Sequence, residues 1–84
     1  MSVKKLYAVY DKKAESELGI FEQPNDLVAI RDFSQACAKD ESPIRKFAED
    51  YELRCLGQID TTTGIITPDV KTIAQATEYT PANS

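Results

Sequence analysis

Eighty-four residues of 9.4 kDa, 42% hydrophobic and 29% charged, make one small domain with material for a single core. Ten Lys+Arg against fourteen Asp+Glu give a formal charge of −4 and a pI near 4.7, which excludes a basic wrapper for nucleic acid. Histidine is absent, which removes the commonest general base, proton shuttle and metal ligand together. The apolar residues are too numerous for wholesale disorder and too interrupted for a membrane-spanning helix, which needs roughly 18–20 in a row.

The first predicted element is a strand over Lys4 to Tyr10, a nearly continuous apolar stretch bounded by charge. Alternation places Leu6, Ala8 and Tyr10 on one side and Lys5, Tyr7 and Val9 on the other. Two partly apolar faces imply a central strand. Asp11 to Gln23 shows no sustained period and reads as a loop, with at most a short extended piece at Gly19-Ile20-Phe21. Pro24-Asn25-Asp26 then opens the clearest helix, about 13 residues long, with Asn25 or Asp26 as its cap. Leu27, Ile30, Phe33 and Cys37 supply its apolar stripe, and Lys39-Asp40 marks its end.

Ser42-Pro43 repeats the start signal over a shorter segment reaching Asp50, either a turn or two of helix or a loop pinned by Phe47. Tyr51 to Asp60 is the clearest strand: Tyr51, Leu53 and Cys55 point one way, Glu52 and Arg54 the other. Gly57 within it marks a bulge or a close backbone approach. Asp60 to Gly64 is a turn, and Ile65-Ile66-Thr67 returns as a hairpin strand that Pro68 ends. Val70, Ile73 and Ala74 then suit a short helix, or alternatively a third strand. Residues 1–79 are expected to form the domain, with 80–84 as a tail.

The whole reads as α+β: one main amphipathic helix packed on a mainly antiparallel sheet of three or more strands. Exposed sheet edges invite a second chain, so a homodimer is expected. Cys37 and Cys55, 18 positions apart, are expected to be buried thiols in a reducing cytoplasm, and the N-terminus has no signal-peptide apolar segment.

Catalytic machinery is not expected. The acidic residues are scattered as Glu15/Glu17, Asp40/Glu41 and Glu49/Asp50/Glu52, and suit a solvated surface better than a carboxylate pair. No phosphate-cradling glycine loop is present, no metal site is expected, and no cofactor is implied. The local charge pattern is more informative. Lys4, Lys5, Lys12 and Lys13 against Asp11 leave +3 over the first thirteen residues, interleaved with Tyr7 and Tyr10. Single-strand nucleic-acid binders combine basic grooves with aromatics on which bases stack. Arg31, Arg45, Lys46 and Arg54 would extend such a patch if they share a face. The competing reading places both tyrosines in the sheet and uses the lysines for solubility.

Three segments together resemble a known family. These are Lys5-Leu6-Tyr7-Ala8-Val9-Tyr10-Asp11-Lys12-Lys13-Ala14, then Pro24-Asn25-Asp26 with Ala29-Ile30-Arg31-Asp32-Phe33, then Glu49-Asp50-Tyr51-Glu52-Leu53 with Cys55-Leu56-Gly57, Asp60 and Thr63-Gly64. Over roughly residues 4 to 67 they resemble the small nonstructural protein of the gokushoviruses, single-stranded DNA bacteriophages of the Microviridae. The resemblance implies a role in phage DNA synthesis or packaging, in the cytoplasm of the infected bacterium and outside the mature virion. It brings no catalytic residues with it. Two expectations follow. The first is a noncatalytic accessory that binds single-stranded DNA through Lys4, Lys5, Tyr7, Tyr10, Lys12 and Lys13, and less directly through Arg31, Arg45, Lys46 and Arg54. The second is a protein adaptor for phage or host replication or packaging proteins, using a sheet edge or the helix face without touching DNA.

Overall fold

A computed structural model, described over residues 2–80, contains strands β1 (Val3–Asp11), β2 (Ser16–Gln23), β3 (Tyr51–Asp60) and β4 (Ile66–Gln75). Helices α1 (Asp26–Ala38) and α2 (Pro43–Lys46) lie between β2 and β3, with 3-10 turns at Ala48–Asp50 and Ala76–Glu78. The sheet order is β2-β1-β3-β4, and every neighbouring pair is antiparallel. The expected α+β architecture is present, with four strands and β1 and β3 at the centre.

The segment expected to be a loop at 11–23 is instead a hairpin carrying an eight-residue edge strand. Asp11 builds the turn by accepting backbone hydrogen bonds from Lys13 and Ala14, and Glu15 takes the left-handed conformation at φ 55°. Ser16 through Ile20 are all exposed, so the first five residues of β2 have no buried face to imprint alternation on the sequence. A register shift opposite Val9 breaks the period further. Gln23 then ties the strand to α1 by donating to Asp32 at 2.6 Å.

Pro68 does not end the returning strand. β4 runs on to Gln75, so Val70, Ile73 and Ala74 lie in the continuation of the same strand and not in a short helix. Its position at the sheet edge leaves one side of the backbone unbonded, so a residue without an N–H is tolerated there. Two register shifts against β3, one at Ile73 and one across Asp69–Val70, interrupt the alternation that would mark this strand in the sequence. Gly57 sits at one of them with φ +140°. A Cβ at this position would collide with the Thr67 carbonyl oxygen and lie 2.9 Å from Pro68 Cα, so β3 and β4 approach here as only glycine allows.

Helix α1 starts where the capping signal placed it, with the Asn25 side chain accepting from the Val28 N–H at 3.0 Å. Its buried stripe is Ala29, Phe33 and Cys37, flanked by Ile30 and Ala36, whereas Leu27 is 80% exposed. Together with Tyr7, Leu53 and Cys55 of the sheet, these residues form the core, which Ile44, Tyr51, Ala74 and Ala76 complete. Ser42 caps α2, whose anchor is Ile44 rather than the exposed Phe47. Tyr79 closes the core edge-on to Phe33, with ring centroids 6.3 Å apart. Both cysteines are buried free thiols, and burial pushes that of Cys37 up to about 11. Four of the five residues assigned to the C-terminal tail, 81–84, lie outside the described residues.

Gly57→Ala is expected to destabilise the fold by at least about 2 kcal/mol, because positive φ and a backbone collision act together. Pro68→Ala should stay within about 1 kcal/mol of wild type. Urea unfolding followed by circular dichroism separates the two.

Candidate functional site

Residues directly paired across strands share a sheet face. Lys5, Tyr7 and Val9 therefore lie on one face with Gln58, Cys55 and Leu53, beneath α1. Lys4, Leu6, Ala8 and Tyr10 lie on the other, with Ile59, Arg54 and Glu52 of β3, Ile20 and Glu22 of β2, and Ile66 and Thr72 of β4. Ala8 is fully buried, but neither it nor the other side chains on that second face join the core cluster beneath α1. Among the described residues no helix covers it, and it is called the bare face below.

The ten residues singled out from the sequence do not converge. Lys4 is on the bare face, paired with Glu22 at 3.1 Å. Lys5 is on the covered face, 3.4 Å from Asp26. Tyr7 is fully buried, its ring stacked on Phe21 and its hydroxyl donating to Asp26 at 2.6 Å, so it presents no ring for a base. Tyr10 is half-buried on the bare face with the Arg54 guanidinium 3.5 Å above its ring centre. Lys12 and Lys13 lie at the β1–β2 turn, where Lys12 donates to Gln75 at 3.3 Å. Arg45 pairs with Asp40 on the helical side. Lys13, Arg31 and Lys46 are exposed and, among the described residues, hold no side-chain ion pair. The N-terminal lysines are thus divided between two faces and a turn, and several basic groups already have acidic partners.

What the sequence did not disclose is the polar network at one end of the bare face. Glu52 is only 5% exposed although no helix covers it. Arg54 Nε donates to its carboxylate at 2.7 Å, the Thr72 hydroxyl at 2.8 Å and the Gln75 amide at 3.4 Å. Burial pushes the Glu52 carboxyl up, but these hydrogen bonds together outweigh it and hold the group below the usual range. The same contact raises Arg54 further, so both partners stay charged. Thr72 and Gln75 come 20 and 23 residues after Glu52, too far for any local pattern to announce them. Ile20 and Ile66, 65% and 56% exposed on the same face, went unnoticed because their strands were read as a loop and as a short hairpin return.

A shallow cavity of about 180 Å³ opens at the end of the covered face, lined by Lys5, Cys55, Gly57, Gln58, Thr67, Asp69 and Lys71. Its polar groups carry both signs, with Lys5 and Lys71 set against Asp69. Among the described residues no cluster of three or more His, Cys, Asp or Glu is placed to hold a metal ion. No helix there is long and apolar enough to cross a membrane.

Asp26 is held below the ordinary carboxylate range, first by the Tyr7 hydroxyl and then by Lys5, against the opposing effect of burial. Its folded-state pKa lies below its unfolded one, as does that of Glu52. Their contribution is therefore complete above the unfolded values near about pH 4 and is lost as pH falls through the folded ones. Tyr7→Phe should cost roughly 1.5–3 kcal/mol at neutral pH and flatten the loss of stability in acid. Thermal melts of both proteins between about pH 7 and about pH 2 read both effects.

A model of the family described as Phage ORF5 protein matches residues 4–79. No curated protein and no solved structure gives a significant match. The matched span runs from Lys4 at the start of the central strand to Tyr79 against Phe33, so it takes in the sheet, the covering helix and the bare face alike. The chain belongs to the Phage ORF5 protein family and is a bacteriophage protein.

Proposed function

We propose that this phage protein is a noncatalytic accessory of phage genome synthesis or packaging that acts by docking protein on its bare sheet face. The observation that carries the reading is a contrast on that face. Leu6, Ile20, Ile59 and Ile66 lie on it without joining the core, while its cations Lys4 and Arg54 are held by Glu22 and Glu52. An apolar patch whose charges are compensated internally suits protein association better than phosphate, which is attracted by uncompensated positive charge. A net charge of −4 adds long-range repulsion for a polyanion.

Single-stranded DNA is the second reading, and Tyr10 with Arg54 favours it. An aromatic on one central strand and a guanidinium on the other lie where single-strand binders with bare four-stranded sheets present their stacking surfaces. Against it, Arg54 already occupies one side of the Tyr10 ring, and Glu52 balances its charge.

Two measurements separate the readings. Fluorescence anisotropy with a labelled single strand of about 30 nucleotides should show no salt-sensitive binding. Salt-sensitive binding abolished by Lys4/Lys5/Lys12/Lys13→Ala would replace the docking reading with the DNA one. In complementation of a phage lacking this gene, Ile20→Lys/Ile66→Lys should fail to restore progeny while folding normally. Full restoration by that variant overturns the assignment of function to the bare face.

A further inference from the structure

Resting on the docking reading, we propose that the partner on the bare face is a second copy of this chain. Two sheets would meet face to face about a two-fold axis, with both helical layers outward. Three features support this occupant.

The first is charge. Each cation on the face has its acid within the same chain, Lys4 with Glu22 and Arg54 with Glu52, and Glu17 at the rim lies opposite Tyr10. The face therefore carries no block of one sign that calls for a basic or an acidic partner. A surface whose cations are each neutralised within the chain, with Glu17 as a further acid at its rim, can meet its own copy, as an isologous interface requires.

The second is area. Four strands of eight to ten residues, at about 3.3 Å per residue and about 4.8 Å between strands, give the sheet a flat face of roughly 600 Å². Side-chain relief adds to that projection, which brings it toward the roughly 800 Å² per partner of a standard stable interface.

The third is the thinness of the core. The largest fully buried side chains are Tyr7, Leu53 and Cys37, and much of the remainder is alanine and cysteine. A chain this small with one apolar layer is marginal alone, and packing a second sheet about 10 Å away supplies a second layer. The association expected from the sequence through sheet edges is thereby moved to the face. The edges are poorly suited to pairing: β2 carries Glu17 and Glu22 and is broken by a register shift, and β4 contains Pro68.

Sedimentation velocity of the full chain from about 1 to about 100 µM should show a species of twice 9.4 kDa. Ile20→Lys/Ile66→Lys should weaken the dimer at least about tenfold, with unchanged circular dichroism. Leu27→Lys, on the outer side of α1, should leave it intact. A monomer throughout the range overturns the proposal, as does a dimer indifferent to the Ile20/Ile66 variant. Hydrogen exchange adds an independent check, because new protection of β2 backbone amides on association would indicate edge pairing and likewise overturn it. A monomeric wild type whose Ile20/Ile66 variant still fails in complementation removes the second copy and keeps the docking reading. A dimer broken by a variant that complements fully does the reverse.

Discussion

The hydroxyl of Tyr7 donates a 2.6 Å hydrogen bond to Asp26, joining the centre of the sheet to the first turn of the helix that covers it. The tyrosine ring is buried against Phe21, so its hydroxyl has to find an acceptor within the protein. Asp26 satisfies it, and its charge draws in Lys5. One side of the sheet is committed to α1 by this arrangement. Tyr7 is thereby built into the scaffold, while Lys5 is tethered to Asp26 with its side chain still partly exposed.

The opposite side of the sheet follows a different logic. With no helix among the described residues above it, its polar residues are shielded by one another: Arg54 lies over Tyr10 and donates to Glu52, which Thr72 and Gln75 also hold. A carboxylate removed from water is tolerated only when such donors surround it. The network orders one end of the bare face, and Leu6, Ile20, Ile59 and Ile66 are left as its apolar content. Internal compensation of charge is what moves the functional reading from DNA toward protein.

Irregularities in the ladder position these residues. β1 shifts register against both of its neighbours, and β3 does so twice against β4. Such bulges bend and twist strands, and Gly57 permits the tightest of them by letting the Thr67–Pro68 backbone pass where a side chain would stand. The same bulges disrupt the period of two in the edge strands, which hides the strands from a reading by pattern.

Local chemistry made a good part of the fold legible. The Asn25 cap, the Ser42-Pro43 start, the alternation from Tyr51 to Cys55 and the Asp60–Gly64 turn each act within a few residues, and each is found where its signal lies. Edge strands β2 and β4 were not legible in the same way, because a strand exposed on both sides need not alternate and an edge tolerates proline. The candidate site was the least legible part. Consecutive residues of a strand point to opposite faces, so the run that placed Lys4 beside Lys5 and Tyr7 near Tyr10 in sequence separated them in space. Which lysine meets which acid, and which tyrosine is buried, depends on partners 18 to 23 residues away brought close by pairing and packing. The sequence by itself determined the class of fold, the helix with its cap and the central strands, because those follow from short-range periodicity and capping. Only the tertiary structure decided which face stays open and which charges are already balanced, because both are set by contacts between strands and helix that no local pattern records.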